Sequence, residues 1–201
     1  MKINDLMVPD PITVTEKASI NEAIELMKIN SIRHLPVVSG KKTLKGFVTL
    51  ADLKQGLIPS MVAGVSLSDL VIRDPITVGP DEDIERAAQL IYKHKISGMP
   101  VVKNNRLVGI ITESDILRAF IDMMGLLTAS SRIDVVVGEQ PESFRTALQI
   151  INDSGGDIIS VGQTAHHAGD RIYYFRLSAC KTDGIKTALE KNGFNVLHAM
   201  D

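Results

Sequence analysis

One cysteine, Cys180, stands among 201 residues, which excludes an internal disulfide and a thiolate metal cluster and ties the chain to no oxidising compartment. An excess of positive charge is also missing. Against 22 Lys and Arg stand 24 Asp and Glu, and a net charge of -2 gives no global field to hold a nucleic acid backbone. No run approaches the ~20 apolar residues of a membrane span, and Met1 to Asp10 carries an early acid and prolines where a signal peptide has its apolar core. These lacks point to a cytoplasmic protein with neither a membrane nor a nucleic acid partner. A catalytic constellation is lacking too. His166-His167, His198 and Cys180 are scattered, and two adjacent histidines without a third ligand at regular spacing read as a solvated hairpin loop, as Gly162, Gly169 and Asp170 support. What the chain does have is 44% hydrophobic residues, enough for the cores of two or three small domains.

Those residues are organised by an internal repeat. Asp10-Pro11-Ile12-Thr13-Val14 recurs as Asp74-Pro75-Ile76-Thr77-Val78, and Leu35-Pro36-Val37-Val38 as Met99-Pro100-Val101-Val102, both at a shift of 64. Gly46-Phe47-Val48-Thr49 then recurs as Gly109-Ile110-Ile111-Thr112 at a shift of 63, so one residue is lost in the polar turn between. Each copy opens with a short extended segment ending in Thr-Val. A helix follows, with apolar residues at i, i+3, i+4 and i+7: Ile20, Ala23, Ile24 and Met27, then Ile84, Ala87, Ala88 and Ile91. Ser19 and Glu22 make a capping box for the first helix, and Asp83 is placed to cap the second. Two strands and a further helix complete a βαββα unit. Two such units must share a core, which predicts side-by-side packing about a pseudo-twofold axis with two related clefts.

The motif Gly-x-x-Thr-x-x-Asp ends each copy, as Gly46, Thr49, Asp52 and as Gly109, Thr112, Asp115, where the last strand runs into a helix. Threonine beside the free N-H groups of a helix start suits a phosphate, and aspartate, a pure acceptor, suits the paired hydroxyls of a ribose. Taken once, Thr-x-x-Asp reads as a capping box. Its recurrence after the same strand and the same Pro-Val-Val segment argues for a ligand as well, and capping and binding are compatible.

With these motifs, residues 1 to 127 resemble a tandem CBS domain pair, or Bateman module. The resemblance implies a regulatory sensor of AMP, ADP, ATP or S-adenosylmethionine, with no catalytic cofactor. It implies that Asp52 and Asp115 hold ribose hydroxyls, that Thr49 and Thr112 meet phosphate, and that Thr13 and Thr77 line the clefts. Leu35-Pro36 and Met99-Pro100 would offer apolar contact and backbone groups to adenine. Arg33-His34 precedes Leu35 where Ser97-Gly98 precedes Met99, so the clefts are expected to be unequal: a cleft with Arg33 and His34 would tolerate more phosphate charge than one lined by Ser97 and Gly98. A solvated surface pair is the other reading of Arg33-His34.

From Arg132 the rhythm changes, after an apolar helix with Ile116, Leu117, Phe120 and Ile121 and a small-residue joint at Thr128 to Ser131. Strands are expected at 133–137, 158–161, 172–177 and 194–198 and helices at 143–152 and 184–191, the βαββαβ order of a ferredoxin-like plait. This third resembles an ACT domain, which implies edge pairing into dimers and an amino acid ligand at that interface, although Pro141-Glu142-Ser143 stands where many such domains carry Pro-Gly. The expected class is thus α/β (α+β), with CBS units at 1–66 and 67–128 and an ACT-like domain at 131–201, an arrangement similar to acetoin-utilisation proteins of the AcuB type. The expected function is adenosyl-ligand sensing by a homodimer that signals to its ACT-like domain or to a target protein. A dimerising scaffold with vestigial clefts and a small nucleotide-acting enzyme are the alternatives.

Overall fold

A computed structural model describes residues 1–57, 64–138, 140–165 and 171–201. His166-His167, Gly169 and Asp170 lie outside the described residues. The chain divides into two compact units, Met1–Leu117 and Arg118–Asp201.

In chain order the first unit holds β1 (Val8–Pro9), α1 (Ile20–Ile29), β2 (His34–Ser39), β3 (Thr43–Thr49), α2 (Leu50–Gly56), α3 (Leu67–Leu70), α4 (Ile84–His94), β4 (Gly98–Lys103), β5 (Arg106–Thr112) and the opening of α5 (Glu113–Met123). The βαββα pattern occurs twice, with its first strand reduced to one parallel bridge, Val14 to Val37 and Val78 to Val101. The hairpins explain the change of shift. The β2–β3 turn uses Gly40, Lys41 and Lys42, with φ of 52° at Gly40 and 64° at Lys42. The β4–β5 turn uses only Asn104 and Asn105, at φ 51° and 62°, the left-handed pair that a two-residue hairpin needs. Both hairpins carry a bulge at the same place, between Val37 and Val38 and between Val101 and Val102.

Of the predicted helix faces, Ile20, Ala23 and Met27 in α1 and Ile84 and Ala87 in α4 are buried, while Ile24, Ala88 and Ile91 are half-buried and Leu90, outside the predicted face, is buried in their place. Ser19 Oγ accepts from the Glu22 amide at 3.1 Å while Glu22 accepts from the Ser19 amide at 2.7 Å, so the expected capping box is made. The expected Asp83 cap is not. Asp83 makes no cap hydrogen bond, because Lys2 reaches its carboxylate at 2.7 Å and holds it away from the helix amides.

That ion pair belongs to an exchange that the repeat does not announce. The segment leading into the first copy packs on the second: Ile3 is fully buried, its amide donates to the Glu82 carbonyl, and β1 pairs antiparallel with β5. The segment leading into the second copy packs on the first. Leu67 and Val71 enter the core built by Met27, Leu35, Val48 and Leu53, and Ile72 pairs with Phe47. Where the chain crosses back, Asp10 and Asp74 both take positive φ, 45° and 53°, a left-handed conformation that aspartate tolerates better than most residues.

The second unit runs β6 (Ser130–Val137), α6 (Pro141–Asp153), β7 (Ile158–Ala165), β8 (Arg171–Ser178), α7 (Asp183–Lys191) and β9 (Asn195–Met200), the βαββαβ order expected. Its antiparallel sheet has the order β7-β8-β6-β9. Alternation along the strands turns Ile133, Val135, Val137, Phe175 and Leu177 into one core with Ala147, Ile151, Ile185 and Leu189 of the helices. The intervening position Asp134, buried in the sheet, is held bidentately by Arg132 at 2.7 Å to each carboxylate oxygen. No helix among the described residues is long and apolar enough to cross a membrane.

Candidate functional site

Both Thr-x-x-Asp motifs fold as helix caps, and the way they do so leaves a chemical opening. Asp115 Oδ2 accepts from the Thr112 amide at 2.8 Å and from Thr112 Oγ1 at 2.6 Å, while Thr112 Oγ1 accepts from the Asp115 amide at 3.4 Å. Asp52 and Thr49 repeat the arrangement at 3.1, 2.6 and 3.3 Å. One carboxylate oxygen is thereby used twice. The other, Oδ1, has no hydrogen-bond partner among the described residues in either copy and remains a charged acceptor on a rigidly held side chain.

Two cavities open beside these caps. The first, of about 340 Å³, takes Thr112 and Asp115 from the second repeat and Pro11, Ile12, Ile32, Arg33 and His34 from the first, with Ile110 on its wall. The second, of about 320 Å³, takes Thr49, Leu50, Ala51 and Lys54 from the first repeat and Ser97 from the second, and it too is bordered by Arg33 and His34. The structure therefore places Arg33 and His34 against both cavities, where the sequence reading assigned them to one. The reason is their position at the entry of β2, where the repeats meet: His34 Nε2 lies 2.7 Å from Ser97 Oγ, the residue 63 positions on. The His34 ring stacks on Phe47 with centroids 5.6 Å apart and is 7% exposed. Burial, then the neighbouring Arg33 charge, push its pKa below the ordinary value of 6.5, against the opposing pull of Glu113, Asp115 and Asp52. Burial thus disfavours the charged imidazolium, and the ring is a hydrogen-bonded link between the repeats.

Arg33, His34, Thr49, Thr112 and Asp115 border the cavities. Asp52, Thr13, Thr77, Leu35, Pro36, Gly98, Met99 and Pro100 do not line either one. Leu35 and Met99 are fully buried, and the Pro36 and Pro100 carbonyls accept from the Val14 and Val78 amides at 3.1 and 3.3 Å. Thr13 is half-buried and Thr77 exposed. Among the lining residues that sequence reasoning missed are Asp10, Pro11, Ile12, Ile32 and Lys54. Three of these sit in the repeated Asp-Pro-Ile-Thr-Val stretch, so that motif carried the signal; Lys54 carried none, because its counterpart 63 residues on is Leu117. Elsewhere, Cys180 is half-buried with its backbone exchanging hydrogen bonds with Ser131 Oγ, and His198 lies exposed on β9.

The family model for the CBS domain matches residues 3–58 and 67–122, one match per repeat. The chain belongs to the CBS domain family. Its CBS pair is similar to part of the homoserine O-acetyltransferase of Methanocorpusculum labreanum, at 41% identity over 115 residues, which are 56% of this chain and 23% of that one. The chain spans about a quarter of the length of the curated relatives it matches. Among solved structures, a protein assigned to acetoin utilization (AcuB) from Vibrio cholerae has a TM-score of 0.56 and 34% identity, covering 63% of this chain and 94% of its own. The CBS domain pair of protein MJ0100, solved with 5′-methylthioadenosine and S-adenosyl-L-methionine, has a TM-score of 0.56 and 33% identity, covering 60% of this chain and 99% of its own. The CBS match ends at residue 122, ahead of β6.

Proposed function

We propose that this CBS-pair protein is a regulatory sensor that binds an adenosyl ligand, AMP, ADP, ATP or S-adenosylmethionine, in its clefts and performs no catalysis itself. One observation carries the reading: Asp115 keeps a free, charged oxygen at the wall of a cavity of about 340 Å³ that both repeats build. A carboxylate held this way is suited to two vicinal hydroxyls, and the apolar Ile12, Ile32 and Ile110 beside it are suited to a flat base. The adenosyl ligands of the MJ0100 pair support the same class. Because the cavity spans two repeats, a ligand filling it favours one relative placement of the repeats, and the covalent route onward is α5, which opens at the Thr112 cap.

In this reading the domains run 1–66, 67–128 and 131–201, and the last is an ACT-like, ferredoxin-like domain, which the strand order β7-β8-β6-β9 supports. It passes the signal on within a cytoplasmic homodimer or to a target protein. The test is thermal unfolding and calorimetric titration with AMP, ADP, ATP, S-adenosylmethionine and a panel of amino acids, since a ligand that prefers the folded state raises the midpoint. Asp115→Ala and Asp52→Ala should each weaken binding about tenfold, the worth of one hydrogen bond to a charged group. Each also removes a helix cap, so affinities belong well below the unfolding midpoint. If no adenosyl compound raises the midpoint, the sensor reading falls and a dimerising scaffold replaces it.

A further inference from the structure

The two cavities differ in charge in a way that divides ligand classes between them. The cavity at Thr112 has the cap carboxylate Asp115 on its wall and the cavity at Thr49 has no carboxylate among its lining residues, while both share Arg33 and His34, which do not discriminate. The discrimination comes from the helices that follow the caps. Leu50 and Lys54 of α2 answer to Glu113 and Leu117 of α5 at the 63-residue shift. Lys54 thus adds a positive charge to the cavity at Thr49, and its counterpart Leu117 carries none. Lys54 lines its cavity directly, and among the described residues no carboxylate lies within ion-pair distance of Lys54 or Arg33. Two uncompensated cations therefore face the cavity at Thr49. The cavity at Thr112 has Arg33 as its one lining Lys or Arg among the described residues, set against Asp115 and Asp10, the latter paired with Lys42 at 2.5 Å, and five apolar residues.

We infer that the cavity at Thr49 is the phosphate-bearing site, taking AMP or its di- and triphosphate. The cavity at Thr112 takes an adenosyl group without phosphate, neutral or cationic at its 5′ substituent, such as a thioether or a sulfonium. Lys54 is the residue that sets this division. The inference rests on the sensor reading above and adds to it: one chain reads two adenosyl signals at once, one in each cleft, on either side of the His34–Ser97 link.

The experiment is calorimetric titration of the full chain with AMP and with S-adenosylmethionine, singly and each in the presence of saturating amounts of the other. AMP and S-adenosylmethionine should bind together, one of each per chain, neither displacing the other. Lys54→Leu copies the residue of the other repeat at an exposed site. It should weaken AMP about fivefold, as expected for one solvent-screened charge contact, and leave S-adenosylmethionine unchanged. Lys54→Arg should restore AMP binding. Raising salt should weaken AMP more steeply than S-adenosylmethionine. Competition between the two compounds for a single site, or wild-type AMP affinity in Lys54→Leu, overturns the division while leaving the sensor reading intact. Failure of both compounds to bind overturns the sensor reading and the division with it.

Discussion

His34 links the two repeats through a buried imidazole, and the consequence for stability is a dependence on pH that one substitution isolates. Burial and the Arg33 charge hold the folded-state pKa below 6.5, so between that depressed value and 6.5 the unfolded chain binds more protons than the folded one. Stability from this group is therefore complete above pH 6.5 and is lost as pH falls below it, until the folded ring also takes a proton. If the folded ring stays neutral throughout, linkage sets the loss at about 1.4 kcal/mol between pH 7.5 and 5.5, an upper bound for one site. The perturbation is His34→Gln, which keeps an amide to meet Ser97 and removes the titration. Urea unfolding of both proteins, ligand-free, at pH 7.5 and 5.5 gives the comparison, and groups that titrate in both proteins cancel in the difference. Wild type should lose up to about 1.4 kcal/mol more than His34→Gln over that range. Equal losses would refute the reasoning. Ser97→Ala checks the same link from the other side. It leaves the buried ring nitrogen without its partner at 2.7 Å and should cost about 1–3 kcal/mol at pH 7.5.

Ile3→Ala tests the exchange of leading segments. Ile3 is fully buried, so its truncation should destabilise the first unit by about 2–5 kcal/mol by chemical denaturation, whereas a loose N-terminal tail would show almost none. Gly46→Ala should destabilise by about 1–3 kcal/mol, because a Cβ there would overlap Val71 Cγ1 and approach the Ile72 carbonyl oxygen to 2.8 Å. Wild-type stability in that variant would mean that the crossing segment does not press on β3. Arg132→Ala should cost about 2–3 kcal/mol in the second unit by leaving Asp134, 6% exposed, without its bidentate partner; Arg132→Ala combined with Asp134→Asn should recover part of the loss.

Local chemistry explains why so much of this was legible in advance. Capping boxes at Ser19, Thr49 and Thr112 are formed within four residues, so a short string of sequence contains both partners. The two-residue Asn104-Asn105 turn and the alternating apolar strands of the second unit are equally local, and β6 to β9 fall within four residues of their expected bounds, β7 and β6 extending furthest. The Asp83 cap failed for a non-local reason: a lysine 81 positions earlier reached the carboxylate first.

The repeat alone therefore determined the CBS pair, the hairpins, the helix faces and the Thr-Asp caps, because each depends on residues a few positions apart whose periodicity the chain displays twice. Only the tertiary structure decided which repeat each leading segment joins, that Arg33 and His34 stand between both cavities, that Pro11 and Ile12 wall one cavity, and that Lys54 faces the other. Those features depend on contacts between residues up to about 100 positions apart. No periodicity of helix or strand extends over such distances, and burial of the shared core is what brings these residues together.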